Sequence, residues 1–294
     1  MEAQLVETAI LNIINHQSLI ATKTSRIVFA ANGDGIMEFG LRRAQGPDAG
    51  LYGARAAMIG GCVGTSNVLA GQMFDVPVMG THAHSWIMSF PDEYTAFKTY
   101  AEMYPDNCTL LVDTYDTLKS GVPNAIRVFQ EFKDAGKPLI KYGIRLDSGD
   151  LAYLSKEARK MLDEAGFPEA TICASNDLDE FLLHDLKMQG AAIDSWGVGT
   201  NLITSKDCPS FGGVYKLAAI QNEEGEFVPK IKISENTEKI TNPGNKTIYR
   251  IYEQASGKIK ADLICFADEV IDPKQDLLLP RKQPLKSRLD QHAQ

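Results

Sequence analysis

The feature that most constrains the fold is a set of carboxylates at nearly regular intervals in the middle of the chain. Asp113, Asp147 and Asp177 are separated by 34 (147−113) and 30 (177−147) residues. Each comes after a short apolar run typical of a buried strand, at residues 109–112, 140–146 and 171–174. Helical patterns that end at glycine fill the intervals, so each interval has the length of one strand–helix unit. Repeated units predict a parallel sheet, and their number favours a closed or nearly closed barrel.

The flanking segments extend this pattern on both sides. Apolar residues four apart predict one helix over residues 5–30, and short strands are predicted at 36–43, 62–66 and 76–79. After about residue 212 the sequence changes to strand-like runs joined by turns rich in Asn, Gly and Pro, which predicts an antiparallel meander. We therefore predict an α/β protein with three parts: a barrel core (1–212), an antiparallel β region attached to it (213–271) and a peripheral tail (272–294).

Two histidines follow the apolar run at residues 76–79. The run ends at Gly80, and His82 and His84 come next, together with a threonine and a serine. A buried parallel strand that delivers polar groups at its carboxyl end has this pattern. On an extended segment the two imidazoles share one face. A metal site would need more ligands, so none is predicted. The alternative is that both are loop histidines whose hydrogen bonds are satisfied by neighbours.

Other predicted strand ends carry groups suited to anions and hydroxyls. Arg145 and Asp147 are two residues apart on a strand and point the same way, so they could grip an anion and a hydroxyl side by side. Gly199-Thr200 offers backbone N–H groups and a hydroxyl for a phosphate. Asn176-Asp177 could hold ribose hydroxyls. Each pair also has a structural alternative. Arg145 and Asp147 could form a buried ion pair, Gly199-Thr200 could be an ordinary glycine turn, and Asn176-Asp177 could cap a helix.

Composition argues against several classes of function. The chain of 294 residues has a formal net charge of −8 and no cluster of basic residues, so we predict no nucleic-acid partner. The uncharged stretch at residues 56–74 contains too many glycines and polar residues for a membrane span. Five dispersed cysteines without a C-x-x-C pair indicate a reducing compartment, and we predict a cytoplasmic protein.

Six motifs in order give the chain a family resemblance. They are FGLRRAQGPD (39–48), GTSNVLAG (64–71), GTHAHSW (80–86), LVDTYD (111–116), RLDSGD (145–150) and VGT (198–200). Over roughly residues 5–270 the chain resembles the nicotinate phosphoribosyltransferases. That family joins nicotinate to the ribose of phosphoribosyl pyrophosphate, a step of NAD salvage. ATP hydrolysis is coupled to the reaction through a phosphorylated histidine.

The resemblance implies a fold and a role for each matching residue. The fold is an incomplete TIM-like α/β barrel of the type II phosphoribosyltransferase kind, in a protein that works as a homodimer. His84 would be phosphorylated by ATP and oriented by Asp113, while Thr81 and Arg145 would contact nicotinate. The remaining contacts implied are Asp147, Asn176 and Asp177 for the ribose, and Arg42, Gly199 and Thr200 for the phosphates. Mg²⁺ would accompany the pyrophosphate, with ATP as co-substrate.

Ser66 is the predicted substrate discriminator. In the nicotinamide-using relatives an aspartate stands at this position, and it would repel the carboxylate of nicotinate. The neutral hydroxyl of Ser66 leaves that anion unrepelled, which favours nicotinate. Quinolinate would need more cations than the motifs supply.

The expected extent of the chain leaves alternatives open. The resemblance implies an N-terminal domain that lends an aromatic ring to the partner subunit's site. We predict that this domain and part of the C-terminus are missing here. The chain could then be a fragment, a truncated product or one piece of a split protein. The nicotinate enzyme has two alternatives: a nicotinamide phosphoribosyltransferase, and a barrel that binds ligand without turnover.

Overall fold

The computed structural model describes residues 2–137, 139–235 and 240–271, which form two compact units. The first unit runs from Met1 to Gly213 and the second begins at Val214. The predicted tail at 272–294 lies outside the described residues. None of the helices that the structure describes is long and apolar enough to span a lipid bilayer.

A six-stranded parallel sheet forms the centre of the first unit. Its strands are β1 (Gly35–Glu38), β2 (Gly64–Thr65), β3 (Cys108–Leu111), β4 (Tyr142–Leu146), β5 (Thr171–Ser175) and β6 (Ser195–Val198). Their spatial order is β2-β1-β6-β5-β4-β3. Ser175 pairs with Gly197, and Gly197 pairs with Met37, so the carboxyl ends of neighbouring strands meet along one rim. The strand–helix repeats predicted from the carboxylate spacing are therefore confirmed.

Within the described part of the chain, ten helices lie around this sheet and in the connections between its strands. They are α1 (Glu2–Leu5), α2 (Glu7–Ala31), α3 (Pro47–Ile59), α4 (Val68–Phe74), α5 (His84–Met88), α6 (Glu93–Met103), α7 (Val122–Asp134), α8 (Leu151–Glu164), α9 (Glu180–Met188) and α10 (Thr200–Ile203). A 3₁₀ turn spans Leu41–Arg43 and a π turn spans Thr117–Gly121. Fully buried apolar side chains between sheet and helices include Phe97, Leu110, Ile144, Ile172 and Trp196.

The helix ends follow from local sequence. Asp92 and Asp150 cap α6 and α8, because their carboxylates accept the backbone N–H groups of Thr95 and Tyr153. Helices α7, α8 and α9 are each followed by a glycine with positive φ, at Gly136, Gly166 and Gly190. Glycine adopts this conformation without the steric cost of a Cβ atom, and it lets the last carbonyls find donors. The glycine stops predicted after the helices at 136 and 166 are confirmed.

Residues 77–82 connect the two edges of the sheet. The N–H of Thr65 in β2 donates to the carbonyl of Pro77 at 3.0 Å, and Met79 N–H donates to Thr65 at 2.9 Å. Only Gly80 and Thr81 separate Met79 from His82, whose Nε2 accepts the N–H of Leu111 in β3 at 3.2 Å. One short segment thus contacts both edge strands, and the sheet curves into an incomplete barrel.

Three of the predicted strands are shorter than expected, and one of them is β2, which covers only Gly64–Thr65 of the run at 62–66. The apolar run at 76–79 contributes one isolated bridge, between Thr65 and Val78, and half of the Val78 surface is exposed, at 50%. It is an edge segment and not the buried strand that its composition indicated, because none of the strands that the structure describes pairs with its outer side. The strand predicted over 36–43 ends at Glu38, since Gly40 begins the turn that contains Arg42.

The second unit consists of two separate antiparallel hairpins in its described part. β7 (Ala219–Gln221) pairs with β8 (Phe227–Pro229), and β9 (Lys246–Tyr252) pairs with β10 (Ile259–Phe266). The turns between paired strands carry Gly225 and Gly257, both with positive φ. The prediction of antiparallel strands is confirmed, but the single meander was wrong: each pair forms its own two-stranded sheet.

Candidate active site

The polar residues predicted at strand ends lie along the carboxyl rim of the parallel sheet. Asp113 comes two residues after β3, Asp147 directly follows β4, and Asn176 directly follows β5. His84 is the first residue of α5, which follows the segment that joins the sheet edges. Parallel strands place all their carboxyl ends on one side, so residues far apart in sequence face a common space.

Arg145 is the centre of the densest polar cluster at this rim. Its Nε donates to Ser175 Oγ at 2.7 Å, Nη1 to Thr81 Oγ1 at 2.8 Å and Nη2 to Asp147 Oδ1 at 2.8 Å. Thr81 Oγ1 in turn donates to the carbonyl of His82 at 3.1 Å. Three separate chain segments therefore fix the guanidinium, and a flexible side chain needs such support in order to bind a ligand with precision.

Asp147 is held as a carboxylate by its neighbours. Burial alone would raise its pKa, but a hydrogen bond from Ser175 and the charges of Arg145 and His84 keep the pKa below the usual range for aspartate. Its second oxygen, Oδ2, lies 3.6 Å from His84 Nε2. Asp147 thus links the guanidinium to the imidazole.

His84 lies between carboxylates on one side and a hydroxyl on the other. Its Nε2 is 3.6 Å from Asp147 Oδ2 and 3.9 Å from Asp113 Oδ1, and its Nδ1 is 3.2 Å from Thr114 Oγ1. The side chain is 39% exposed. Carboxylates favour a proton on the ring nitrogen that faces them, so this arrangement favours the Nε2–H tautomer and leaves the Nδ1 lone pair available.

Asp113 holds the loop after β4 through one of its carboxylate oxygens, and its other oxygen accepts no hydrogen bond from the described residues. Its Oδ2 accepts the N–H of Asp147 at 2.8 Å and the hydroxyl of Ser148 at 2.6 Å. Its Oδ1 is buried, has no hydrogen-bond partner among the described residues and points toward His84. A buried carboxylate oxygen without a donor is costly, which is expected of a group that meets a cation or a protonated imidazole.

The rim also fits a Mg²⁺ ion supplied with a phosphate ligand. Within the described residues, no three His, Cys, Asp or Glu side chains form a group that could hold a metal by themselves. Magnesium usually takes one or two carboxylates, and waters and substrate phosphates complete its shell. The unpartnered Oδ1 of Asp113 and the nearby Oδ2 of Asp147 are donors of this kind.

Phe39 adds an apolar wall beside the cluster. Its ring centroid is 5.6 Å from Cζ of Arg145, within the range of a cation–π contact. A Cβ atom at Gly197 would lie 2.5 Å from this ring, so glycine is needed there for the ring to occupy its position. An aromatic ligand whose carboxylate paired with Arg145 would therefore find an aromatic surface next to it.

The other predicted residues form a neighbouring group that is joined by backbone contacts. A Cβ atom at Gly199 would be 3.2 Å from the carbonyl oxygen of Phe39, so the start of α10 lies against the segment that leads to Arg42. Asn201 Nδ2 donates to the carbonyl of Asp177 at 2.8 Å, which joins the loops after β5 and β6. The loop that carries Asp177 and the segment Phe39–Gly40, which precedes Arg42, therefore both adjoin the start of α10 at Gly199 and Thr200.

Two predicted residues need separate description. Asn176 is exposed and has φ of 97°, a left-handed conformation that costs energy in any residue but glycine and often marks a functional site. Ser66 is half-buried after β2, and its N–H donates to the carbonyl of Glu38 at 3.0 Å. Among the described residues, no side-chain hydrogen bond joins either of them to Arg145.

Sequence reasoning assigned no role to several residues that complete the cluster. They are Phe39, Thr114, Ser148 and Ser175. Ser175 ends β5 and bonds to both Arg145 and Asp147, and Thr114 follows Asp113 directly. The position of Thr114, Ser148 and Ser175 at strand ends was a usable signal, because small polar residues at the end of an apolar run tend to face the same rim. No such signal was available for Phe39.

His82, the other histidine of the segment, is a structural residue. It is 7% exposed, and its ring meets Tyr100 edge-on with centroids 4.6 Å apart. Nε2 accepts a backbone hydrogen bond and so carries no proton. Burial lowers the pKa of His82 to about 4. Its imidazole therefore stays neutral at neutral pH. The expectation of a histidine satisfied by neighbours holds for Nε2 of His82, whereas its buried Nδ1 has no hydrogen-bond partner among the described residues.

The neutral state of His82 predicts a dependence of stability on pH. The unfolded chain gains a proton on this side chain near pH 6.5, and the folded chain only near pH 4. The free energy of unfolding should therefore fall as the pH is lowered through this interval, by at most about 3 kcal/mol. Urea unfolding at several pH values measures this, and His82→Gln, which keeps an acceptor for Leu111, should flatten the curve. Equal pH dependence in both proteins would contradict the assignment.

Comparisons with known proteins agree with this geometry. The family model described as the nicotinate phosphoribosyltransferase (NAPRTase) family matches residues 35–256. The nicotinate phosphoribosyltransferase of Bacillus subtilis (strain 168) is 57% identical over 277 residues, which cover 94% of this chain and 56% of that protein. That of Dictyostelium discoideum is 40% identical over 314 residues, covering 91% and 52%. The chain thus spans little more than half the length of these curated relatives.

Solved structures with the same fold point the same way. Human nicotinic acid phosphoribosyltransferase superimposes with a TM-score of 0.76 at 31% identity, covering 92% of this chain and 59% of that one. The nicotinate-nucleotide pyrophosphorylase from Pyrococcus furiosus superimposes with a TM-score of 0.69 at 26% identity, covering 90% of this chain and 62% of that one. The type II phosphoribosyltransferase barrel implied by the six motifs is confirmed. The chain belongs to the nicotinate phosphoribosyltransferase family.

Proposed function

We propose that this chain carries the barrel of a nicotinate phosphoribosyltransferase. The reaction joins nicotinate to phosphoribosyl pyrophosphate, gives nicotinate mononucleotide and pyrophosphate, and is coupled to hydrolysis of ATP to ADP and phosphate in NAD salvage. The observation that carries the proposal is the cluster in which Arg145 meets Thr81, Asp147 and Ser175 beside His84.

Arg145 is proposed to bind the carboxylate of nicotinate, and Thr81, which accepts a hydrogen bond from Nη1 of Arg145, is proposed to contact the substrate beside it. A guanidinium has five N–H donors, and contacts among the described residues engage three of them. Two donors, one on each Nη atom, are left for a bidentate pair with a carboxylate. The ring of Phe39 beside Arg145 would then pack against the pyridine ring of the substrate.

Acidic and basic groups at the rim suit the charges that develop in the reaction. Cleavage at C1 of the ribose builds positive charge on the sugar and negative charge on pyrophosphate. Asp147, with Asn176 and Asp177, would face the ribose. Arg42, Gly199 and Thr200 would hold the phosphates, with the backbone contacts between their segments keeping them adjacent. Mg²⁺, bound by Asp113 or Asp147 and the substrate, would neutralise charge on the leaving group.

His84 is proposed to couple ATP to the transfer. With its proton on Nε2, facing Asp147 and Asp113, the Nδ1 lone pair attacks the γ-phosphorus of ATP. The new N–P bond forms as the P–O bond to ADP breaks, and water later hydrolyses the phosphohistidine. Thr114 Oγ1, 3.2 Å from Nδ1, would hydrogen-bond the bound phosphoryl group.

One assay tests the proposal against its alternatives. The chain is incubated with phosphoribosyl pyrophosphate, Mg²⁺ and ATP, together with nicotinate, nicotinamide or quinolinate, and the mononucleotides are resolved by mass spectrometry. Nicotinate mononucleotide as the main product supports the proposal. Nicotinamide mononucleotide as the main product would instead support the nicotinamide enzyme. Binding of nicotinate without any product would support a ligand-binding barrel.

Ser66 supplies a prediction about base selection. Replacing Ser66 by Asp is expected to lower kcat/KM for nicotinate by about tenfold to a hundredfold, because a carboxylate would face that of the substrate. The ratio of kcat/KM for nicotinamide to that for nicotinate should rise accordingly. Ser66→Asn is the control: Asn has nearly the size of Asp but no charge, so it separates the effect of charge from that of side-chain volume. An unchanged ratio in Ser66→Asp would remove Ser66 from the base site.

The remaining proposals concern the setting of the enzyme. A cytoplasmic location is supported by five cysteines that all carry free thiols, as a reducing compartment would keep them. A homodimer of the full-length protein is proposed from the family resemblance. The domain division at 212/213 is proposed as the functional boundary, with the catalytic residues confined to the first unit.

A further inference from the structure

We propose that Glu38 is a positioning residue that keeps the base-binding and phosphate-binding sides of the rim in register. The inference rests on the proposed function, because it takes Ser66 to face the base and Arg42 to face phosphate. Glu38 ends β1, which lies between β2 and β6 in the sheet. Its side chain is completely buried.

Both oxygens of the Glu38 carboxylate accept hydrogen bonds from neighbouring segments. Oε2 accepts the hydroxyl of Thr65 at 2.6 Å, and Oε1 accepts the N–H of Gly40 in a short contact. Thr65 Oγ1 also accepts the N–H of Asn67 at 3.0 Å. We call these four residues, Glu38, Gly40, Thr65 and Asn67, the Glu38 clamp.

The clamp holds the two segments that carry proposed ligand contacts. Ser66 lies between Thr65 and Asn67, and its own N–H donates to the carbonyl of Glu38 at 3.0 Å. Glu38 thus holds the Ser66 N–H directly and the Asn67 N–H indirectly, through the hydroxyl of Thr65. Gly40 begins the 3₁₀ turn that contains Arg42. Displacing the carboxylate would therefore remove its bonds to Thr65, which precedes Ser66, and to Gly40, which precedes the turn of Arg42.

Glycine at position 40 is required for this arrangement. A Cβ atom there would lie 2.9 Å from Oε1 of Glu38 and 2.6 Å from Cγ2 of Ile203. Such a side chain would push the turn away from the carboxylate and from α10. The close approach allows the carboxylate to bond the N–H at the start of the turn.

A buried carboxylate is a costly way to fill this position. Among the described residues none of the ion pairs involves Glu38, so neutral donors alone stabilise it, and burial raises its pKa. An apolar side chain of similar size would fill the space with no charge to desolvate. The two directed hydrogen bonds are what such a side chain would lose, which indicates a role in positioning.

Substitutions separate the two arms of the clamp. Glu38→Met is similar in size and removes both acceptors, so it should raise the KM for nicotinate and for phosphoribosyl pyrophosphate, each by about tenfold. Thr65→Val removes only the arm next to Ser66 and should raise the KM for nicotinate alone, and Thr65→Ser, which keeps the hydroxyl, should recover it. Ser155→Ala is the control, because it removes a fully buried hydroxyl from α8, away from the rim.

Three measurements make the outcome decisive. KM values come from steady-state assays, fold integrity from urea unfolding, and clamp geometry from hydrogen exchange of the Gly40 and Asn67 amides. A lower urea midpoint with both KM values unchanged would make Glu38 merely structural and overturn the proposal. If the unsubstituted chain makes no product, the proposed function fails separately. Hydrogen exchange then tests the clamp separately. Glu38→Met should lose protection at the Gly40 amide, which bonds to the carboxylate, and at the Asn67 amide, which bonds to the Thr65 hydroxyl that the carboxylate holds, and retained protection at both amides would overturn the proposal.

Discussion

Arg145→Gln is expected to lower kcat/KM for nicotinate by about a thousandfold, the largest effect of any single substitution at the rim. The change removes the only charge proposed to pair with the substrate carboxylate. It also leaves Asp147 without its guanidinium partner, at 2.8 Å in the intact protein. Steady-state kinetics with nicotinate as the varied substrate measures the effect, which should appear mainly in KM.

Two further variants control the Arg145 experiment. Arg145→Lys keeps the charge but loses the planar guanidinium, so its kcat/KM for nicotinate should lie between that of the unsubstituted protein and that of Arg145→Gln. Arg127→Gln removes an arginine from the exposed face of α7, where it pairs with Glu131, and should leave nicotinate kinetics unchanged. A KM for nicotinate that does not move in Arg145→Gln would show that the carboxylate is bound elsewhere.

His84→Ala is expected to separate mononucleotide formation from ATP hydrolysis. Without an imidazole no phosphohistidine can form, so ATP consumption should fall on the order of a thousandfold or more. Transfer of the phosphoribosyl group should remain measurable, because Arg145 and the rim carboxylates are still present. The two rates are measured together as ADP and nicotinate mononucleotide released per unit time.

Labelling with γ-³²P ATP makes the His84 experiment specific. The unsubstituted chain should take up acid-labile label, and His84→Ala should take up none. His184→Ala, an exposed histidine on α9, is the control and should label normally. If His84→Ala still consumed ATP in step with product, His84 would not be the coupling residue.

The regular part of the fold could be predicted because local sequence and topology agree there. Asp113, Asp147 and Asp177 mark strand ends, and glycines mark the helix stops between them. Parallel strands force such ends onto one rim, so the convergence of His84, Asp113, Arg145 and Asp147 follows once the units repeat. The six motifs carry the same residues and connect them to a known family.

What the sequence could not provide depends on contacts between distant segments. The run at 76–79 is apolar enough for a buried strand, yet its place at a sheet edge is decided by the pairing of Thr65 with Pro77 and Met79. The link between Glu38 and Thr65 spans separate strands in the same way. The different roles of His82 and His84 arise because the His82 ring packs edge-on against Tyr100, whereas the His84 ring faces carboxylates. No local pattern distinguishes them.

The division of labour at the rim was also only partly predictable. Asp113 was expected to orient His84, but Asp147 lies closer to the imidazole. One oxygen of Asp113 accepts a backbone N–H of the loop after β4 instead. Ser175 was visible as the last residue before Asn176, but its bonds to Arg145 and Asp147 depend on the register of β4 and β5.

A crystal structure with nicotinate mononucleotide bound tests most directly whether the rim is one pocket. The nucleotide carboxylate should pair with the two remaining Nη donors of Arg145, with its pyridine ring beside Phe39. The ribose should lie near Asp147, and the phosphate near Gly199 and Arg42. A nucleotide bound away from the carboxyl ends of the strands, or with its carboxylate remote from Arg145, would contradict the proposed site.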